Sequence, residues 1–196
     1  MAEQEDRTVK VGSKIEVNGA QLWTLDIGSQ TRERVDAKVL LAGKVVLRFM
    51  PGAFSPTCSN SDLPAFADDM RVLLAQDGSL KFALITGDNP HALRAWVARA
   101  NLGKDMGQGI FTDICDQSLL LTRHLGLNID LREKGMGICS NRAAVFAVEG
   151  IVQAVSVEES PGKVEVCAGN TWRDQVLGAI ARVNAGQHVQ SGRGDR

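Results

Sequence analysis

The feature that most constrains the fold is a strand that runs through a tight turn into a cysteine. Val45 to Met50 is rich in β-branched, aromatic and aliphatic residues, which is typical of a buried central strand. Pro51-Gly52 ends it, because proline removes a backbone donor and glycine permits a sharp turn. We therefore predict that Cys58 lies near the start of the helix that follows.

That helix is predicted from about Cys58 to Ala75. Residues of the capping type fill its start up to Asp62, whose carboxylate suits the positive end of the helix dipole. Pro64 predicts either a kink or a later start of the regular helix. The buried face is predicted from apolar residues at helical spacing: Leu63, Phe66, Met70, Leu73 and Leu74.

The rest of the chain alternates between predicted strands and helices. Strands are predicted at Leu80 to Thr86 and Ile110 to Asp113, and helices at about Pro90 to Asn101, Ser118 to Leu125 and Thr171 to Asn184. Hairpins are predicted at Glu149-Gly150, between Arg142 to Val148 and Ile151 to Val157, and at Asn18-Gly19, within Val11 to Ile27. This order predicts an α/β fold with a mixed central sheet flanked by helices, compatible with a thioredoxin-like core that carries N-terminal and mid-chain additions.

Length and charge narrow the classes of function. The 196 residues fit one domain, predicted over residues 1–185, and the polar tail 186–196 is predicted to be mobile. A net charge of -1 gives no electrostatic reason to expect nucleic acid or an anionic membrane as partner. The polar, acidic N-terminus has neither signal-peptide nor transit-peptide character, so we expect a cytoplasmic location.

The four cysteines, Cys58, Cys115, Cys139 and Cys167, show no CxxC spacing, and the three histidines are scattered. We therefore predict reduced thiols and neither metal nor cofactor. Free N–H groups and the helix dipole at the first turn favour a thiolate at Cys58. The alternative is a buried, inert cysteine, and placement alone does not decide between them. The Ser55 hydroxyl is near enough in the chain to donate to the sulfur or to a bound oxygen.

The amino-acid sequence around Cys58 also resembles that of a known protein family. Pro51-x-x-x-Ser55-x-x-Cys58 resembles the active-site signature of peroxiredoxins, Pro-x-x-x-Thr/Ser-x-x-Cys, and the string from Pro51 to Ser59 resembles the atypical two-cysteine branch called the peroxiredoxin-five type. The resemblance covers roughly Val11 to Ile180. Further segments agree in the same order: Asp88 to Trp96, Arg142 to Val152, Val157 to Glu159 and Pro161 to Val166.

The resemblance implies a role for each matching residue. Cys58 would be the nucleophile that attacks the peroxide and becomes a sulfenic acid. Ser55, where threonine is usual, would orient the peroxide, Pro51 would shield the pocket, and the backbone N–H groups of Thr57 and Cys58 would hold the peroxide oxygens. Arg142 would hold the thiolate and the substrate electrostatically; its alternative is a surface charge at a strand end.

The resemblance leaves the second half of the cycle open. Cys167 lies where some members of the branch carry a resolving cysteine, which implies a Cys58–Cys167 disulfide, whereas other members use an external thiol. Cys115 and Cys139 receive no role beyond packing, although the loop position of Cys139 suggests that it could be exposed.

The expected function is therefore a peroxidase that consumes hydrogen peroxide or organic hydroperoxides at the expense of thioredoxin, glutaredoxin or a small thiol, as a homodimer. A thiol–disulfide oxidoreductase would share the fold but normally needs a second cysteine close to Cys58. A peroxide-sensing redox switch or binding protein would oxidise Cys58 without efficient turnover.

Overall fold

The computed structural model describes residues 8–26, 31–102, 109–159 and 171–190. A π turn at Cys58–Asp62 leads into the helix Leu63–Gln76, and a 3-10 turn at Arg132–Lys134 joins the strands Asn128–Leu131 and Gly137–Ser140. Within these ranges the strands and α-helices are, in chain order, β1 (Trp23–Leu25), β2 (Arg32–Arg34), α1 (Ala37–Leu41), β3 (Lys44–Phe49), α2 (Leu63–Gln76), β4 (Lys81–Thr86), α3 (Pro90–Arg99), β5 (Phe111–Cys115), α4 (Leu120–His124), β6 (Asn128–Leu131), β7 (Gly137–Ser140), β8 (Ala143–Val148), β9 (Ile151–Val157) and α5 (Thr171–Asn184).

The main sheet has the strand order β2-β1-β5-β4-β3-β8-β9. In the interior of this sheet, β3 pairs in parallel with β4 and antiparallel with β8. Side chains alternate along β3, so Val46 packs in one core cluster with Phe66 and Trp96, and Val45 in the opposite cluster with Leu121. The predicted α/β fold, with a mixed sheet and a central strand buried on both faces, is confirmed.

The predicted hairpin at Asn18-Gly19 is wrong, although the turn itself forms. Gly19 has a φ of +73°, and Ala20 N–H donates to a carbonyl three residues earlier at 3.1 Å. The two flanks, however, pair with different elements: Lys14 forms a bridge with Ile151 on β9, whereas β1 pairs with β2 and β5. A turn signal specifies local backbone geometry, but it does not choose the partner of each flank.

A second sheet, formed by β6 and β7 alone, was not predicted. The two strands are antiparallel, and Ile129 lies opposite Cys139. The base of this β6–β7 hairpin is tied to the body of the protein, since Asn141 N–H donates to the Leu127 carbonyl at 2.6 Å. Arg142, which the sequence predicts to be a candidate site residue, follows Asn141 directly. The base of the hairpin is therefore adjacent in the chain to the candidate site.

The chain beyond α5 lies against the edge strand β9. Gln153 donates from Nε2 to the Val189 carbonyl and accepts from the Val189 N–H, both at 2.8 Å. The side-chain amide of Gln153 thus satisfies both the N–H and the carbonyl of Val189, next to an edge strand of the sheet. Residues 191–196 lie outside the described part of the chain, and mobility of the tail stays a prediction.

An ion pair between β3 and the end of α2 provides a test of stability. Lys44 Nζ lies 2.6 Å from Asp77 Oδ2, and Ser79 donates to the other carboxylate oxygen from its N–H and its hydroxyl. Burial raises the pKa of Asp77, but these hydrogen bonds and the lysine charge outweigh it and lower the pKa from 3.8 to about 2. A carboxyl group whose pKa is lower in the folded state stabilises the fold at any pH above its pKa in the unfolded state. This stabilisation is lost as the pH falls towards the pKa in the folded state.

We expect Asp77→Asn to lower the free energy of unfolding at pH 7 by about 1 kcal/mol or more. The difference from wild type should shrink as pH falls from about 4 towards 2. Urea denaturation at several pH values measures it. Asp68→Asn is the matched control, because Asp68 is 80% exposed and pairs only with Arg71 on the same helix among the contacts described for it. A deficit that persists unchanged at pH 2 would contradict this electrostatic account.

Candidate active site

Cys58 is fully buried at the first residue of the π turn. Ser59 N–H donates to the Ser55 carbonyl at 2.9 Å, so helical hydrogen bonding begins at Ser55. The backbone N–H groups of Thr57 and Cys58 therefore belong to a first turn, in which no carbonyl of the helix accepts them. Pro51, predicted to shield the pocket, is buried in the turn that precedes this helix. The predicted strand–turn–helix placement of Cys58 is confirmed.

The turn that carries Cys58 is one residue wider than an α-helical turn. Leu63 N–H donates to the Cys58 carbonyl, five residues back. Pro64, at the first turn of α2, has no N–H and could not have continued the ladder to an earlier carbonyl. The regular helix therefore starts at Leu63, the later of the two predicted starts. Asp62 lies at the N-cap of α2, as predicted, but its side chain makes no capping hydrogen bond.

Asp62 instead joins a buried cluster around Arg142. Arg142 Nε donates to Asp62 Oδ2 at 2.6 Å, Nη1 donates to Glu158 Oε2 at 3.2 Å, and Nη2 lies 3.5 Å from Cys58 Sγ. Burial disfavours the charged guanidinium, but the hydrogen bond to Asp62 and the charges of Cys58, Asp62 and Glu158 outweigh it and raise the pKa of Arg142. A permanent cation therefore faces the sulfur.

The alternative interpretation of Arg142 as a surface charge is wrong, because the residue is only 8% exposed. Its backbone is fixed as firmly as its side chain. Asn141 Oδ1 accepts from the Arg142 N–H at 2.8 Å, Asn141 Nδ2 donates to the Glu158 carbonyl at 2.9 Å, and Glu158 N–H donates to the Arg142 carbonyl at 2.9 Å. Such anchoring holds the cation in place before any substrate arrives.

The loop before Cys58 is held by two further hydrogen bonds. Asp88 Oδ2 accepts from the Ala53 N–H at 2.7 Å, and the Ser55 hydroxyl donates to the Gly52 carbonyl at 3.1 Å. The proton of Ser55 is therefore directed at Gly52 rather than at the sulfur. Its oxygen keeps lone pairs that can accept a hydrogen bond from a ligand.

The other cysteines differ in place and in environment. Cys115 and Cys139 are buried, so the suggestion that Cys139 is exposed is wrong. Burial first, and then neighbouring negative charge, raises the pKa of each to about 11, which keeps both as neutral thiols near neutral pH. Cys167, the proposed resolving cysteine, lies outside the described residues.

Two general properties of the described ranges bear on the type of site. Across these ranges, no three or more His, Cys, Asp or Glu side chains are grouped so that they could hold a metal ion. None of the helices described is long and apolar enough to cross a membrane.

Comparison with known proteins places this site in a family. The redoxin family model matches residues 11–169. Peroxiredoxin-2C of Oryza sativa subsp. japonica is 35% identical over 133 residues, which cover 67% of this chain and 78% of that protein. The chain belongs to the peroxiredoxin family. The chloroplastic peroxiredoxin-2E-2 of the same organism is 36% identical to this peroxiredoxin over 155 residues, or 78% of this chain and 66% of the relative.

The fold of this peroxiredoxin also matches solved structures. Reduced Prx3 of Vibrio vulnificus, solved in complex with hydrogen peroxide, aligns with a TM-score of 0.70 and 27% identity, over 88% of this chain and 99% of that one. The likeness confirms the thioredoxin-like peroxiredoxin fold. Assignment to the peroxiredoxin-five type branch stays a prediction.

Sequence reasoning singled out Cys58 and Arg142, which the structure brings into contact, and Ser55, but it missed the two acids that hold the arginine. Asp62 was assigned to the helix start, and Glu158 was matched to the family without a role. Asp62 lies four positions after Cys58 in the chain, which is about one helical turn. That spacing was the available signal that a carboxylate lies beside the nucleophile.

Proposed function

We propose that this peroxiredoxin is a thiol-dependent peroxidase that reduces hydrogen peroxide and organic hydroperoxides at Cys58. The observation that carries the proposal is the contact of Arg142 Nη2 with Cys58 Sγ, at 3.5 Å, in the first turn of a helix. In the reaction the thiolate attacks one peroxide oxygen, an S–O bond forms and the O–O bond breaks. The leaving oxygen takes up a proton as water or alcohol, and Cys58 becomes a sulfenic acid.

Charge in this transition state spreads over the sulfur and both oxygens. The guanidinium of Arg142 and the first-turn N–H groups of Thr57 and Cys58 are donors suited to that charge, and they act in a water-poor site where they are strongest. The Ser55 oxygen supports the proposal as an acceptor for the peroxide O–H. All these groups are positioned by backbone and side-chain contacts that need no substrate to form.

Exposed apolar side chains support organic hydroperoxides as substrates. Phe54 is 49% exposed, with a φ of +61°, in the loop that precedes Cys58. Met136 is 39% exposed, and a Cβ added to Gly52 would lie 3.6 Å from its Cε, so it borders the same loop. An alkyl group could pack against such side chains while the peroxide reaches the sulfur. The same apolar surface supports the proposal of a homodimer.

The second half of the cycle is proposed to use Cys167 or an external thiol. Thioredoxin, glutaredoxin or a small thiol would supply the two electrons that return Cys58 to its thiol state. A cytoplasmic location is likewise a proposal, which fractionation of cells would check, since one relative named above is chloroplastic.

Turnover tests the proposal against a peroxide-sensing switch. With excess peroxide and a thioredoxin, glutaredoxin or dithiothreitol supply, each chain is expected to consume many equivalents of peroxide. A sensor that uses Cys58 oxidation to change its partners would stop after one equivalent. Peroxide loss is followed directly, with hydrogen peroxide and an alkyl hydroperoxide in parallel. Consumption that ends at one equivalent with every reductant would reject the peroxidase in favour of the switch.

A further inference from the structure

Cys139 lies in the chain between Met136 and Arg142, two residues that approach the candidate active site. On β7 its neighbour Ile138 is 43% exposed whereas Cys139 is 5% exposed, and because side chains alternate along a strand, Cys139 faces inward. Met136, on the same β6–β7 hairpin, lies against Gly52. The hairpin therefore approaches the loop that leads to Cys58, and Cys139 is buried on it, three residues before the Arg142 that contacts Cys58.

Two of the charges that act on Cys139, those of Cys58 and Arg142, belong to the candidate active site. Burial is the first cause that raises the pKa of Cys139, and the negative charge of Cys58 is the second; Asp88 and Asp130 add to it, while Arg142 lowers it. Arg142 also has its Nη2 3.5 Å from Cys58 Sγ. One guanidinium thus acts electrostatically on both sulfur atoms.

We propose that Cys139 is a second redox cysteine, which captures the Cys58 sulfenic acid as an intramolecular Cys58–Cys139 disulfide. The inference rests on the proposed function, because the sulfenic acid forms only when Cys58 has attacked a peroxide. The Cys139 thiolate attacks the sulfur of the sulfenic acid, an S–S bond forms and the S–O bond breaks. The departing hydroxide takes up the proton of the Cys139 thiol as water. An external dithiol then supplies two electrons and restores both thiols.

The electrostatics impose an order on these steps. While Cys58 is a thiolate, its charge helps to keep Cys139 protonated and unreactive. A sulfenic acid is neutral, so oxidation removes that charge and leaves the cation of Arg142 to act on Cys139. Asp88 and Asp130 are unaffected by the change. Oxidation of Cys58 therefore removes one of the causes that raise the pKa of Cys139, while burial, the first cause, stays in place.

Both sulfur atoms are carried by elements that can shift without disturbing the main sheet. Cys58 is in a π turn, a rare geometry that is frequent at functional sites. Cys139 is on the β6–β7 hairpin, which forms a separate two-stranded sheet. Local opening of either element costs less than global unfolding, so the sulfur atoms can approach each other.

Trypsin offers a direct test, because each cysteine falls on its own peptide: residues 49–71, 105–123, 135–142 and 164–173 carry Cys58, Cys115, Cys139 and Cys167. Reduced Cys167→Ser protein is treated with one equivalent of hydrogen peroxide, alkylated, digested without reductant and analysed by mass spectrometry. We expect peptide 49–71 linked to peptide 135–142, and an intact mass lower by two hydrogens.

Dimedone, which traps sulfenic acids, provides the second measurement. On the Cys167→Ser background, Cys139→Ala is expected to increase dimedone labelling of Cys58 by about tenfold, because the competing thiol is gone. Cys115→Ala is the matched control: Cys115 is also a buried thiol with a pKa raised to about 11, but the charges that act on it are those of Asp88, Asp116 and Asp113. That control is expected to keep the linked peptides.

Three outcomes would overturn the inference. They are dimedone-labelled Cys58 with peptide 135–142 unlinked in the Cys167→Ser protein, a link to peptide 105–123 instead, or equal labelling with and without Cys139. Oxidation of Cys58 without the link leaves the peroxidase proposal standing, whereas no oxidation of Cys58 in any variant removes both. The linked peptides are sought in protein that retains Cys139, so the test survives if Cys139→Ala folds poorly.

Discussion

Cys58→Ser is expected to abolish peroxide consumption, with a loss of about 10³-fold or more. A serine hydroxyl is not ionised at neutral pH, and oxygen does not form the sulfenic acid on which the cycle depends. The first-turn N–H groups and Arg142 would remain, but they have no nucleophile to serve. Peroxide loss under reducing turnover conditions measures the effect.

Cys115→Ala is the control for that experiment, because it also removes one buried thiol. Burial raises the pKa of Cys115 to about 11, and its thiol donates to the Asp88 carbonyl, so it is not available to peroxide. The control is expected to consume peroxide at the wild-type rate. Retained activity in Cys58→Ser, or equal losses in both variants, would remove Cys58 from its role.

Arg142→Ala is expected to slow the oxidation of Cys58 on the order of 100-fold. The change removes the cation 3.5 Å from the sulfur, where it is placed to stabilise the charge of the transition state. It also leaves Asp62 and Glu158 buried without their partner, which should lower the free energy of unfolding by about 3 kcal/mol. Rates of sulfenic acid formation across pH, together with urea denaturation, separate the two effects.

Two variants sharpen this test. Arg142→Lys keeps the charge but has no planar fork to reach Asp62, Glu158 and Cys58 together, so an intermediate rate is expected. Arg94→Ala breaks another ion pair, in which Nη2 lies 2.6 Å from Asp113 Oδ1. It is expected to lower stability and leave the oxidation rate unchanged. An equal rate loss in Arg94→Ala would mean that the effect of Arg142 is one of folding alone.

The placement of Cys58 after a buried strand and the order of elements could be predicted because their signals are local. The strand before Cys58 has a distinctive composition, and the Pro51-Gly52 turn ends it within two residues. The β6–β7 hairpin had no such signal. Its strands have four residues each, and glycine and polar residues dilute their apolar pattern. Strands this short are specified by what they pack against, which a single sequence does not show.

The contact of Glu158 with Arg142 was missed because it depends on an irregular register between β8 and β9. Stepping outward from the Glu149-Gly150 turn in regular antiparallel register would place Arg142 opposite Val157. A register shift between Phe146 and Ala147 moves the pairing by one residue, so Glu158 comes to face Arg142. Bulges insert single residues without a consistent sequence signal, and a shift of one residue exchanges the two faces of a strand.

The π turn at Cys58 has a consequence for how its helix is oriented. An α-helix rotates about 100° per residue, so a residue five positions before Leu63 would point well away from the Leu63 side. The wider turn absorbs the extra residue and resets the angular phase, which lets Cys58 and Leu63 both be buried. Deleting one residue between them would restore an ordinary turn and swing the sulfur around the helix axis. The residues before the π turn and those of α2 therefore follow two different helical registers, and the π turn connects them.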